Sequence, residues 1–254
     1  MKTPALAVIA ALLGLTTGLS PMTTHAAELK VLAGGGMTGP LNALAPEFER
    51  ATGHKVVIQY DATPGLIKRA TSEPFDLGVT PREVLADAGA RAMFILGPTT
   101  DVARVGFGVA VRAGATKPDI GTPDKLKAAL VNAQSIAFLP ASAAGAQVIK
   151  VFERLGIADE KKTKTKIQTS PAAIPQAVAK GDAELGVFLI NVLMAPGLDV
   201  VGPFPKEVQQ ELVFTAAVAR DSKQAEAAKT FIAYLTTPAA AAVMKSKGME
   251  PAAP

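Results

Sequence analysis

Between Glu28 and Thr80 the chain alternates short apolar runs with stretches of helical spacing, and this alternation sets the class of fold. Strand, helix and strand in succession pack as a parallel sheet with helices on its faces. Leu29 to Ala33 is the first expected strand. The helix Gly39 to Thr52 follows, placing Leu41, Leu44, Ala45 and Phe48 at the i, i+3, i+4, i+7 spacing of one buried face, with Gly53 as its C-cap. Lys55 to Tyr60 (KVVIQY) makes the second strand, Leu66 to Thr71 a helix and Phe75 to Thr80 a third strand. Strand C-terminal ends in such a sheet face one way, so the turns after the first two strands share one edge.

The run Arg104 to Val111 is apolar but broken by Gly106 and Gly108, which permit a strand to bend. It is the candidate crossing to a second compact region. That region reads as helix Pro123 to Asn132, strand Ser135 to Leu139, the turn PASAAGA, helix Val148 to Leu155, a linker, helix Ala172 to Lys180 and strand Leu185 to Ile190. Glu211 to Ala219 is a strand that returns to the first region, followed by the helices Gln224 to Leu235 and Pro238 to Ser246. The expected architecture is α/β with two lobes: residues 27–107 begin the first, 108–213 form the second, and 214–254 return.

Residues 1–26 carry Lys2, an apolar run from Ala5 to Leu19, and a polar stretch ending Thr24-His25-Ala26. That is the pattern of a secretory signal peptide cleaved after Ala26. The apolar run is too short for a spanning anchor, so a periplasmic chain without stable membrane insertion is expected. Cleavage removes only Lys2 of the 26 basic residues, leaving 25 against 22 acidic. The excess suits an anionic partner. The one basic cluster, Lys161, Lys162, Lys164 and Lys166, reads as a solvated run, and no aromatics interleave it, so nucleic acid is not an expected partner.

The chain has no cysteine, which removes disulfides, thiolate metal sites and thiol nucleophiles together. After cleavage its remaining histidine is His54, in the turn ATGHKV, where a surface role is expected. No HExxH or GxSxG motif appears. This composition describes a binder: no catalysis, no cofactor and no metal are expected.

Three consecutive glycines, Gly34, Gly35 and Gly36, stand where the first strand hands over to the first helix. Bare backbone there means a positive φ or a close approach, and an anion resting on a helix N-terminus would explain either. Gly34-x-Gly36-x-x-Gly39 also matches the dinucleotide fingerprint, with Asp61 about 20 residues on as the acid for a ribose hydroxyl. An exported nucleotide-dependent enzyme is therefore the alternative reading of these glycines.

The segments VLAGGGMTGPLNALAPEFERATGHKVVIQYDATPGLIKRA, PFDLGV, GDAELGVFLINVL and AAKTFIAYLTTPAAAAVMKSKGMEP together resemble the periplasmic solute-binding proteins of the molybdate-binding type. The resemblance spans nearly the whole chain after Ala26. It implies two α/β lobes joined by crossing strands, a small anionic solute held between them, and delivery by a monomer to the permease of an ABC importer. Residue by residue, it places ligand contacts at Gly36, Met37 and Thr38, at Thr63, at Ser142 and Ala143, and at Ala172 beside Pro171. Gly36 stands where the family has a serine, Thr63 replaces a second serine, and the family's tyrosine falls near Leu189, leaving Asn191 as the polar substitute. Arg82 and the pair Lys68-Arg69 are candidates for a charge clamp. These departures make molybdate itself a poor fit, and another oxyanion or a small organic acid suits the same loops.

Overall fold

The computed structural model describes residues 26–95, 99–159 and 164–252. The expected signal peptide, apart from Ala26, lies outside them, as do Lys161 and Lys162. Among the described residues no helix is long and apolar enough to cross a membrane.

The first half of the chain runs β1 (Glu28–Gly34), a 3₁₀ turn (Gly35–Met37), α1 (Thr38–Thr52), β2 (Lys55–Asp61), α2 (Thr63–Ser72), β3 (Leu77–Pro81), a second 3₁₀ turn (Arg82–Ala86), α3 (Ala88–Arg91) and β4 (Thr100–Arg112). The second runs α4 (Pro123–Asn132), β5 (Ile136–Phe138), α5 (Ala143–Arg154), β6 (Thr165–Ile167), α6 (Ala173–Lys180), β7 (Leu185–Leu189), α7 (Ile190–Leu193) and β8 (Leu198–Pro203). β9 (Glu211–Val218), α8 (Ala225–Leu235), α9 (Pro238–Ser246) and β10 (Glu250–Pro251) complete it.

The strands follow the order β2-β1-β3-β9-β4-β7-β5-β6, with β8 and β10 also paired to β4. β1 runs parallel to β2 and β3, as the alternation requires. β4 belongs to both lobes. Its Thr100–Gly106 segment pairs antiparallel with β9, and from Phe107 onward it pairs with β7 and β8 instead. The changeover lies between the two glycines expected to bend it. Gly108 is needed for close approach, since a Cβ there would lie 2.6 Å from the Gly202 carbonyl oxygen. At Phe107, where β9 has not yet begun, the Gln209 side chain acts as a short length of strand. Its Oε1 accepts from Phe107 N–H (2.9 Å), and its Nε2 donates to the Phe107 carbonyl (3.0 Å).

The buried face of α1 is the one its spacing requires: Leu41, Leu44, Ala45 and Phe48 are all buried. Gly53 ends the helix at φ 76°, the left-handed C-cap that a residue without Cβ adopts freely. Phe48 then packs edge-on to Phe231 of α8, with centroids 4.8 Å apart, which ties the returning segment to the first lobe. His54, expected at the surface, is half-buried and structural: its Nδ1 accepts from Ala27 N–H (3.1 Å) and its ring stacks on Phe48.

Several boundaries differ from expectation, each for a local reason. α2 begins at Thr63, three residues early, because Pro64 suits a first turn and the Asp61 carboxylate lies over Gly65. α5 begins at Ala143, inside the expected turn, because Ser142 caps it by accepting from Gly145 N–H (2.9 Å). β4 starts four residues before Arg104, and the linker after α5 contains β6, built from the end of the lysine run.

Candidate functional site

The C-terminal ends of β1, β2 and β3 in the first lobe face the start of α5, Pro171 and the end of β7 in the second. Between them lies a cleft lined by Gly34 to Gly36, Asp61 to Thr63, Pro81, Ser142, Ala144, Pro171, Phe188, Leu189, Leu212 and Phe214. It is nearly filled, with about 20 Å³ of free volume, room for about one water molecule. Gly35 and Gly36 also line a groove of about 660 Å³ bounded by the starts of α1 and α6, by α7 and by the end of α9.

The glycine turn is bare because other side chains occupy its faces. None of Gly34, Gly35 and Gly36 has a positive φ. A Cβ on Gly34 would lie 2.7 Å from the Phe214 ring, one on Gly35 2.7 Å from Pro171 Cγ, and one on Gly36 2.8 Å from Phe214 Cζ and 3.0 Å from Leu189 Cδ1. Close approach is thus the requirement, as the sequence indicates. The neighbours that require it here are this protein's own side chains, Phe214, Pro171 and Leu189. Asp61 likewise is engaged within its own turn: Oδ1 accepts from Ala62 N–H (2.8 Å) and Oδ2 from Arg69 Nε (3.2 Å).

The structure brings most of the expected ligand residues to this cleft and groove, but it assigns their polar groups differently. The Thr38 hydroxyl donates to the Gly35 carbonyl (2.8 Å), so its proton is not free for a ligand. The Ser142 hydroxyl donates to the Leu139 carbonyl (2.9 Å) while accepting from Gly145, so it has no donor left either. The Ala143 amide, expected to face the solute, donates across the cleft to Thr63 Oγ1 (3.0 Å). Thr63 is the exception: its oxygen accepts, and its own proton has no acceptor among the described residues. Met37 is fully buried in the first lobe's core, so only its main chain can face the cleft. Ala172 is exposed and lines the groove.

Asn191 also lines the groove, and its Nδ2 donates across the lobes to the Gly36 carbonyl (2.7 Å). Its Oδ1 is buried without a partner, a deficit of about 1–3 kcal/mol. Leu189, at the place where a tyrosine was implied, presses on Gly36 and supplies no hydroxyl.

The candidate charge clamp is absent. Arg69 is bound to Asp61 and to Glu73 (3.0 Å), which hold its pKa above the usual value, hydrogen bonding from Asp61 foremost. Arg82 pairs with Asp101, which also accepts from the buried Thr215 hydroxyl. Lys68 is exposed on the solvent side of α2. Lys247, at the end of α9, is a charged lining residue that sequence reasoning missed. It lies in the tail KSKGMEP, with no local pattern to mark it.

Residues 29–250 match the family model of a bacterial extracellular solute-binding protein. An aconitate isomerase of a Pseudomonas species is 33% identical over 261 aligned residues, covering 98% of this chain and 97% of that protein. The molybdate-binding protein ModA of Azotobacter vinelandii is 27% identical, covering 92% of this chain and 94% of its own. The solved periplasmic molybdate-binding protein of A. vinelandii superposes with a TM-score of 0.75 at 20% identity, over 89% of this chain and 99% of that one. The resemblance to molybdate-type binding proteins and the two-lobed α/β fold are borne out. The expectation that such a chain is not an enzyme is overturned, because the 33% identical relative is named as an isomerase.

Proposed function

The chain belongs to the bacterial extracellular solute-binding proteins, and from that premise we propose that it binds a small organic polycarboxylate between its lobes and isomerises it. The carrying observation is the cleft wall. Among the described residues Asp61 is the one carboxylate lining it, beside the donatable hydroxyl of Thr63 and opposite the apolar side chains Phe188, Leu189, Leu212 and Phe214. A bare oxyanion in such a place would need many donors, each missing one costing about 1–3 kcal/mol. A carbon skeleton packs on the apolar side and needs fewer.

For an aconitate, a propene tricarboxylate, isomerisation is a proton transfer. Asp61, whose two oxygens each keep an acceptor site beyond the one given to Ala62 N–H or Arg69, takes a proton from the saturated carbon, the electron pair spreads over the allylic system and its carboxylates, and the proton returns at the other end. One proton leaves, one is restored, and no redox partner is needed. Thr63 donates to a carboxylate that gains charge, and main-chain groups of Gly36, Met37 and Ala172 border the solute. In this reading residues 1–26 direct export and are removed, residues 27–107 and 214–254 form one lobe and 108–213 the other. In this reading the monomer is the working unit.

The test is proton NMR of the purified protein with cis- or trans-aconitate in D₂O. Growth of the other isomer with deuterium on carbon is expected, and Asp61→Asn should slow both at least about 100-fold while still binding the tricarboxylate. Absence of interconversion and exchange with the wild-type protein would overturn the proposal. A second reading, capture of an inorganic oxyanion for an ABC importer, is favoured by the likeness to ModA along 92% of the chain. It calls for thermal stabilisation by molybdate or sulfate and none by tricarboxylates.

A further inference from the structure

A tricarboxylate exceeds the cleft, whose free volume is about 20 Å³, so a substrate reacting beside Asp61 must extend elsewhere. The groove of about 660 Å³ adjoins the cleft at Gly35 and Gly36, which line both. Its walls are mainly short and apolar, among them Ala179, Pro175 and Val192. Among the described residues no acidic side chain lines it, and its one charged lining residue is Lys247. The Lys247 ammonium makes no ion pair with any described residue, while its stem runs past the start of α1: a Cβ on Gly39 would lie 3.9 Å from its Cδ. Gln176, on the facing lobe, offers a neutral amide to the same space.

The geometry points to Lys247 as the specificity residue that holds the outlying carboxylate of the substrate, in the groove that adjoins the cleft at Gly35 and Gly36. This rests on the polycarboxylate reading above. It accounts for a cation placed where no acid awaits it, on the side of the cleft that has room. A solute with its charge confined to one small centre would fill the cleft end and leave Lys247 unused. A polycarboxylate uses both ends, and the lysine selects for it.

Calorimetry separates the two ideas. The wild-type protein should bind trans-aconitate about fivefold or more tighter than the same skeleton lacking one terminal carboxylate, a modest margin because Lys247 is exposed. Lys247→Met should erase that margin by weakening the tricarboxylate alone, with an unchanged melting temperature, and Lys247→Arg should keep it. If Lys247→Met retains the full preference while the wild-type protein still interconverts the isomers, the lysine assignment fails and the isomerase reading stands. If the wild-type protein binds neither compound, both fail.

Discussion

The two ends of the space between the lobes are built on opposite plans. At the Thr63 end the facing surfaces satisfy one another: Ala143 donates to Thr63, Ser142 is spent within its own cap, and Leu189 and Phe214 lie against bare glycines. At the Ala172 end the same lobes meet at Asn191, which donates to the Gly36 carbonyl, and beside that contact they leave a groove whose one charged lining residue, among the described residues, is Lys247. The difference teaches that approach of the lobes and retention of a solute are tasks of different residues. Groups that a sequence offers as ligand donors can instead be the ones that let the lobes meet.

The sharpest way to break this contrast is Gly145→Ala. A Cβ there would lie 1.9 Å from the Leu139 carbonyl oxygen, with backbone on every near side. A loss of about 3 kcal/mol or more is expected in chemical denaturation, because the first turn of α5 must move. Next comes a pair of substitutions on one turn. Gly36→Ala should cost about 2 kcal/mol and weaken tricarboxylate binding at least tenfold, since the buried Phe214 ring, 2.8 Å from the new Cβ, has nowhere to go. Gly39→Ala, whose Cβ meets nothing nearer than Lys247 Cδ at 3.9 Å, should leave stability within about 1 kcal/mol or raise it. Equal losses from the two would abolish the distinction between the packed end and the open one. The smallest test is Ser142→Ala, which removes the α5 cap and should cost about 1 kcal/mol by urea titration. A loss of tricarboxylate affinity with stability intact would return Ser142 to the ligand.

What the sequence made legible was periodic. The α1 face, its glycine cap, the parallel pairing of β1 to β3 and the exchange of β4's partners beside Gly106 and Gly108 all follow from local signals in the chain. The start of α5 was hidden because Ala143, Ala144 and Gly145 carry no apolar rhythm, and a serine before them reads equally as a cap or as a donor. The cleft residues were found by position but not by role. Whether Thr38 or Ser142 gives its proton to a solute or to a carbonyl three residues away is decided by rotamers that no pattern records. Lys247 and the Phe214 ring were missed for a different reason: each reaches the site from the returning segment, about 180 or more residues beyond the glycine turn, and only tertiary structure brings them there.

Gln209 carries a consequence of its own. Where β4 exchanges one set of strand partners for another, its main chain is gripped by a side-chain amide whose oxygen also accepts from Gln210 N–H, just before β9 begins. The strand that joins the lobes is thus held, at the residue where its partners change, in part by a side chain.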